Sequence, residues 1–403
     1  MDTQATNVVD GGRPKFGVVL QGGGALGAYE AGAIDYLYSL GMECAIAAGA
    51  SAGAMNAATL AGATRYPPRV LRELWERLAV DGLIPFLPKV PTPFVPAWAQ
   101  RIWSYYMPSP WVPGMYRPRL DYWNLPSWTS LTKPTLRRTL DDLLDWDQVR
   151  DARHMRLIVS ASGVETGRIA YFSNISADEL PGGPEYPAVR FGPEHVQASG
   201  SIFPGFPWTV ITNRAWWDGG LIDNTPLKPV LDNLRGDEPA TMPIFIIDVN
   251  SDTAPLPGNM MQGAFRLLEM FAANRLRADL DTARSYTRFI TALRQADEQL
   301  PPDAAVRQTP EWIESLNYDH VRHIHLISMN KPAQDSPGDF SRASIERRLS
   351  AGYDQCRAVL EEAGWSPPSA PALAPALAQP AAERASTRLR EQREREPRQP
   401  ART

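Results

Sequence analysis

Residues that usually announce chemistry are scarce in this sequence. Its 403 residues include two cysteines, Cys44 and Cys356, and five histidines. Two cysteines that far apart support neither a disulfide framework nor a thiolate zinc site. No pair of histidines has the H-E-x-x-H spacing of a metalloprotease. An excess of one charge is missing too: 41 Lys and Arg face 45 Asp and Glu, a formal charge of −4. That balance excludes a protein whose main work is coating nucleic acid. The residues before Lys15 lack the apolar core of a secretory signal, and the chain reads as cytoplasmic. Residues 44–64 carry no charge and are long enough to cross a bilayer. They are mostly Ala and Gly, however, with Ser51, Asn56 and Thr59 among them, so they read as a buried strand, turn and helix.

What is present is enough apolar material, 43% of residues, for a large core. Residues 1–14 read as a flexible leader and residues 15–365 as one domain. Residues 366–403 begin rich in Pro, Ala and Ser and end with seven Arg against four Glu. Such a tail buries too little apolar surface to offset its ordering entropy and is expected to be disordered. Within the domain, residues 16–20 form a continuous apolar run of the kind seen in buried parallel strands. Residues 28–40 then repeat large side chains at helical spacing, and Gly41 supplies a stop. Residues 44–48 read as a second strand, followed by a turn and a helix to about residue 63. Further strands are expected at 155–160, 243–248 and 323–327, with helices at 136–144, 260–277 and 345–363. Residues 156–164 and 168–172 read as a hairpin around Glu165-Thr166-Gly167. Strand and helix alternating in this way imply an α/β fold, a mainly parallel sheet covered on both faces.

Three glycine motifs interrupt that pattern. Gly22-Gly23-Gly24-Ala25-Leu26-Gly27 follows the first strand, Gly49-Ala50-Ser51-Ala52-Gly53 follows the second, and Asp218-Gly219-Gly220 follows the apolar Ala215-Trp216-Trp217. A G-x-S-x-G between strand and helix is the nucleophile elbow: small residues at 49 and 53 let the two arms pass, and the serine hydroxyl is lifted clear. The following helix aims its amino end at Ser51, where its field favours developing negative charge. The first motif fits two uses. With an acid about twenty residues on, here Glu43, it matches the dinucleotide fingerprint, but Glu43 precedes the second strand instead of ending it. As an oxyanion hole, the N–H groups of Gly23 and Gly24 would converge with that of Ala52 on a carbonyl oxygen. For a base, the candidates are Asp218 and the histidines. Asp218 follows two tryptophans whose desolvation would lift a carboxylate from its ordinary value near 3.9. Among the histidines, His320, His323 and His325 alone have the chain order of an α/β-hydrolase triad; His154 and His195 lie elsewhere.

In this order and spacing the three motifs resemble those of the patatin-like phospholipases. Ala198-Ser199-Gly200-Ser201 with Pro204 and Phe206-Pro207, and Asn224-Thr225-Pro226 after the aspartate, resemble the segments that flank it in that family. The resemblance spans residues 15–250. It implies a three-layer α/β/α sandwich and a Ser–Asp dyad that cleaves acyl esters of phospholipids or neutral lipids without a metal. By resemblance Ser51 is the nucleophile, Asp218 the base, and residues 22–27 the oxyanion loop, with Gly22, Gly23, Gly24, Gly27 and Ala52 around the hole. Gly49, Gly53, Gly219 and Gly220 would support the turns. Many members carry Arg or Lys where this chain has Leu26, so a charge that would steer a phosphate is missing there.

Residues 82–129 are rich in Pro, Trp and Tyr and show no period. Nine Trp and Tyr from Trp98 to Trp128 sit with Lys89, Arg101, Arg117 and Arg119 against Asp121 alone. Indole and phenol rings favour a bilayer interface and nearby cations favour anionic head groups, which would make the stretch a lid or peripheral membrane contact. The other reading is a satellite core packed on the sheet. The expected activity is that of a serine carboxylic-ester hydrolase of the phospholipase A or lysophospholipase type, acting on a lipid substrate. A Ser-His-Asp esterase and a non-catalytic membrane-binding protein remain the alternatives.

Overall fold

Alternating apolar runs and helical patterns become one mixed sheet with helices on both faces in the computed structural model. It describes residues 13–80, 117–118, 131–132, 134–203, 206–250, 256, 260–317, 324–330 and 335–365. Most of the expected leader, the aromatic stretch apart from Arg117–Pro118, and the whole tail therefore lie outside the described residues, as do His320 and His323.

The first half of the chain runs β1 (Lys15–Leu20), α1 (Gly27–Ser39), β2 (Glu43–Gly49), α2 (Ala52–Gly62) and α3 (Pro67–Leu78). A two-residue ladder, β3 (Arg117–Pro118) with β4 (Leu131–Thr132), precedes α4 (Pro134–Leu143) and α5 (Trp146–Arg150). Then come the hairpin β5 (Arg156–Gly163) and β6 (Ile169–Ser173), α6 (Pro193–Ser199), and a second hairpin of β7 (Thr209–Ile211) and β8 (Arg214–Asp218). The remainder is α7 (Leu227–Leu231), α8 (Glu238–Thr241), β9 (Ile244–Asp248), α9 (Met260–Gln299), α10 (Pro310–Asn317), β10 (Ile324–Ser328) and α11 (Arg342–Glu362). Helix α9 continues well past residue 277, where the apolar spacing fades. Helices α3, α5, α6, α7, α8 and α10, the β3–β4 ladder and the β7–β8 hairpin are additions to the elements expected from the sequence.

The eight-stranded sheet has the order β10-β9-β1-β2-β5-β8-β7, with β6 also paired to β5. From β10 to β5 every pairing is parallel; β6, β7 and β8 add antiparallel pairings beyond. Side chains alternate between two cores, as a strand's period of two demands. Phe16, Val18, Leu20, Leu157, Val159, Phe245 and Ile247 face α1, α2, α3 and α11. Val19, Ile46, Ala48, Ile158, Ile244 and Ile246 face Leu227 and Val230 of α7 and Leu276 of α9. Each of the Val, Leu, Ile and Phe side chains among them contributes about 1.5–3 kcal/mol on full burial. The result is a three-layer α/β/α sandwich.

Helix α1 is buried along its whole length, an uncommon state for a helix containing Glu30 and Asp35. What covers it is α11, at a very close crossing. A Cβ placed on Gly32 would fall on the carbonyl oxygen of Leu349, and one placed on Gly352 on that of Tyr29. Two backbones meet there with no side chain between them.

Candidate active site

Strands β1 and β2 end side by side, Leu20 paired with Gly49, so both following turns leave the sheet at the same level. The carboxyl ends of parallel strands are where α/β sheets open toward ligands. After β2 the chain reverses within two residues. Ser51 takes φ 50° and ψ −114°, a conformation that costs a side-chain-bearing residue on the order of 1–3 kcal/mol. The reversal needs glycine on both arms: a Cβ on Gly49 would fall on the backbone of Gly53, and one on Gly53 on the backbone carbonyl of Leu20. Ser51 then caps α2 at its amino end, and its N–H donates to Ser199 Oγ at 2.9 Å.

Asp218 arrives at this place from the opposite direction. Ile158 and Val159 of β5 pair with β2 on one edge and with β6 on the other, and Ala161 pairs with both Ala170 of β6 and Asp218 of β8. Strands β2 and β8 therefore share one edge of β5. They run antiparallel to each other along it, and their carboxyl ends face across two residues of β5, about 7 Å of strand. Asp218, opposite Ala161, is on the same face as Val159 and Ala161, the face that packs against α2. Its carboxylate is buried and accepts the Gly220 N–H at 2.8 Å; its own N–H donates to the Ser201 carbonyl at 3.1 Å. Gly219 lies so close to β5 that a Cβ would fall on Ser160. The short stretch 199–201 thus holds Ser51 with one residue and Asp218 with another.

The glycine loop after β1 closes the third side. Asn224, six residues past Asp218, grips Gly22 with both ends of its amide: Gly22 N–H donates to Oδ1 and Nδ2 donates to the Gly22 carbonyl, each at 3.1 Å. Gln21 Nε2 donates to Thr225 Oγ1 at 2.8 Å, and its Oε1 accepts from the Val249 N–H and Asn250 Nδ2. A Cβ on Gly22 would stand 3.0 Å from that of Ser51, so the loop lies directly over the elbow. Gly24 has φ +56°, which glycine adopts without strain, and Gly27 packs against Ala52 and Trp75. Among the described residues, the N–H groups of Gly23, Gly24 and Ala52 have no hydrogen-bond partner. Ser199 and Asn224 fall in the segments that resemble the family's flanks of the aspartate, and Gln21 beside a motif, but their partners, about 150 to 230 positions away, are not readable from the sequence.

Two alternatives drawn from the sequence find no support among the described residues, and His320 and His323 lie outside them. Glu43 begins β2, at the opposite end of the strand from the glycine loop, and is paired with Arg13 at 3.0 Å. Six strand residues, about 20 Å, separate it from where a ribose would need an acid. His325 is on β10, three strands from β2 or about 14 Å, and stacks on Phe245. His154 contacts Gln148 on the surface. His195 is buried between Phe172 and Phe191 with Nδ1 at the Gly192 backbone, and burial holds its pKa below the ordinary value. Among the described residues no three His, Cys, Asp or Glu are grouped as metal ligands, and no helix is long and apolar enough to cross a membrane.

Behind the loop sits one buried acid. Glu30, in the first turn of α1, accepts from Asn56 Nδ2 at 2.8 Å, and Asn56 Oδ1 accepts from Trp75 Nε1 at 2.9 Å. Burial pushes the Glu30 carboxyl well above the ordinary range; the Asn56 amide and the Gln21 backbone offset this only in part. Above the pKa of the unfolded chain, the folded protein holds a proton that the unfolded chain has released. Stability therefore falls as pH rises, until Glu30 itself ionises. Glu30→Gln removes that slope, so its stability relative to wild type should improve by up to about 1.4 kcal/mol per pH unit above pH 5. Urea unfolding at pH 5, 6.5 and 8 reads this directly, and parallel wild-type and variant curves would show Glu30 is not the protonated group.

No curated protein matches the chain by sequence. Solved structures that match include VipD from Legionella pneumophila, at 16% identity and TM-score 0.39 over 86% of this chain and 67% of that one. Another is the ExoU–SpcU complex from the type III secretion system of Pseudomonas aeruginosa, at 14% identity and TM-score 0.27, over 95% of this chain and 78% of that one. These are distant likenesses from which nothing about the site follows. Two family models match: one described as patatin phospholipase over residues 272–372, and patatin-like phospholipase over residues 18–231. The second alone covers more than half of the sequence and all three glycine motifs. The chain belongs to the patatin-like phospholipase family and is, by that membership, a lipid-ester hydrolase.

Proposed function

We propose that the chain is a serine acyl hydrolase of the phospholipase A or lysophospholipase type, working through Ser51 and Asp218. The observation that carries this reading is the meeting of β2 and β8, carboxyl end to carboxyl end, on one edge of β5. In the first half-reaction Asp218 takes the Ser51 proton as Oγ attacks the ester carbonyl. The negative charge that develops on the carbonyl oxygen is met by the N–H groups of Gly23, Gly24 and Ala52 at the amino end of α2. Losing one such donor typically costs about 3–4 kcal/mol of barrier. The intermediate collapses, the alcohol leaves with the proton from Asp218, and the acyl group stays on Ser51. Water, deprotonated by the same carboxylate, then releases the fatty acid.

The substrate needs an apolar approach to the site. Phe203, Trp208, Val210, Leu221 and Ile222 are exposed on the chain segments that flank Asp218 in sequence. Together with the aromatic and basic composition of residues 82–129, they support peripheral contact with a lipid surface. A fluorophosphonate probe, followed by peptide mapping, tests the reading. Label is expected on Ser51, with fatty-acid release from phospholipid vesicles lost in proportion to labelling. Label on another serine, or hydrolysis that persists in fully labelled protein, would overturn it. Running the same assay on lysophospholipid micelles and triglyceride emulsions identifies the preferred ester.

A further inference from the structure

A run of three glycines has little intrinsic preference for one backbone shape, so its peptide planes must be held from outside. The front clamp is Asn224 on both polar groups of Gly22. A rear clamp exists on Ala25, and it comes from the other end of the chain. The Ala25 N–H donates to the Pro337 carbonyl at 2.8 Å, and the Ala25 carbonyl accepts from Arg348 Nη1 at 3.2 Å. Gly24 is pressed against the same Pro337 carbonyl, with room for no Cβ. The two loop N–H groups without partners, those of Gly23 and Gly24, lie between the clamps.

Arg348 is fully buried on α11 and uses all five of its N–H donors. Nε and one Nη2 proton engage Asp335 in a bidentate pair; the other Nη2 proton goes to the Ser336 carbonyl at 2.9 Å. Nη1 serves the Asp339 carbonyl at 2.7 Å and the Ala25 carbonyl. Four of these bonds shape the 335–339 segment that carries the Pro337 carbonyl, and the fifth reaches the glycine loop itself. We infer that Arg348 is a positioning residue for oxyanion stabilisation: it fixes the Ala25 peptide, and through it the aim of the Gly24 N–H. The segment matched by the patatin phospholipase model, 272–372, is on this view needed to hold the glycine loop. The inference rests on the acyl-hydrolase reading above.

Lysine keeps the charge but has neither the fork nor the five donors, so Arg348→Lys is the informative variant. The fluorophosphonate probe counts competent sites by its labelling amplitude, and the phosphonylation rate senses the same developing oxyanion as the ester reaction. Arg348→Lys is expected to label to full amplitude yet 10- to 100-fold more slowly. Its kcat per labelled site for a soluble chromogenic ester should fall by the same factor, with KM little changed. Leu360→Ala, a core change on the same helix, should lower thermal stability while leaving kcat per labelled site intact. Should Arg348→Lys not fold, Asp335→Asn loosens the same guanidinium and is expected to lose 3- to 10-fold in the same direction. Unchanged kcat per labelled site in whichever of the two folds would overturn the inference. Hydrolysis that survives in Ser51→Ala would instead bring down the reading beneath it.

Discussion

Asp218→Asn is expected to give a folded protein whose ester hydrolysis is slower by on the order of 10⁴–10⁶-fold, matching Ser51→Ala. The substitution is nearly isosteric, and the amide oxygen can still accept the Gly220 N–H that the carboxylate holds. What is lost is the capacity to take a proton from Ser51 in the first step and from water in the second. On the proposed mechanism both steps pass through this one carboxylate, so a single substitution stops both. The two single losses should also not add in the double variant, since each group is useless without the other. His325 provides the contrast. It lies three strands away on β10, stacked on Phe245, and His325→Ala should turn over esters at near the wild-type rate. The opposite pair of results, an active Asp218→Asn and a dead His325→Ala, would restore the Ser-His-Asp alternative.

A second large effect is expected where nothing reacts. Gly352→Ala should destabilise the protein by about 2–4 kcal/mol in urea unfolding, although alanine is the better helix former by about 1 kcal/mol. The reason is what the added methyl meets. It would fall on the Tyr29 carbonyl of α1, a backbone atom that cannot swing aside as a side-chain end does. Relief requires α1 and α11 to move apart, and α1 is buried along its whole length beneath them. Gly32→Ala, which presses on the Leu349 carbonyl from the other side, should cost about as much. A neutral or stabilising result for both would mean that the two helices are spaced more widely than described.

The legible part of this molecule was the part written locally. Residues 16–63 announced strand, helix, strand and helix, because glycine clusters sit where each strand stops and the apolar spacing changes period. The elbow at Ser51 and the close approach at Gly219 were readable for the same reason: only small residues fit, and a run of small residues is visible. The sequence pattern stops short of the end of α9, because from residue 278 to 299 the large apolar residues thin out to Leu280, Tyr286, Phe289, Ile290 and Leu293 among polar and small ones. Helix α3 carried a good amphipathic pattern behind two prolines and was passed over. What no local pattern contains is pairing across the chain. Arg348 is an ordinary polar residue in the sequence, and Asn224 and Ser199 stand out there only by family resemblance; all three acquire their role from partners 323, 202 and 148 positions away. The sharing of one β5 edge by two strands is likewise a property of sheet order, which element spacing does not encode.

The crossing of Gly32 and Gly352 also bears on how the protein is born. Helix α1, once synthesised, waits for its cover until about 320 more residues have been added. At ordinary elongation rates of 5–20 residues per second that is roughly a quarter of a minute to a minute. During this interval the nascent polypeptide presents α1 to solvent as a sticky surface, a natural client for chaperones. Fragments released early should aggregate instead of persisting as half-built enzyme.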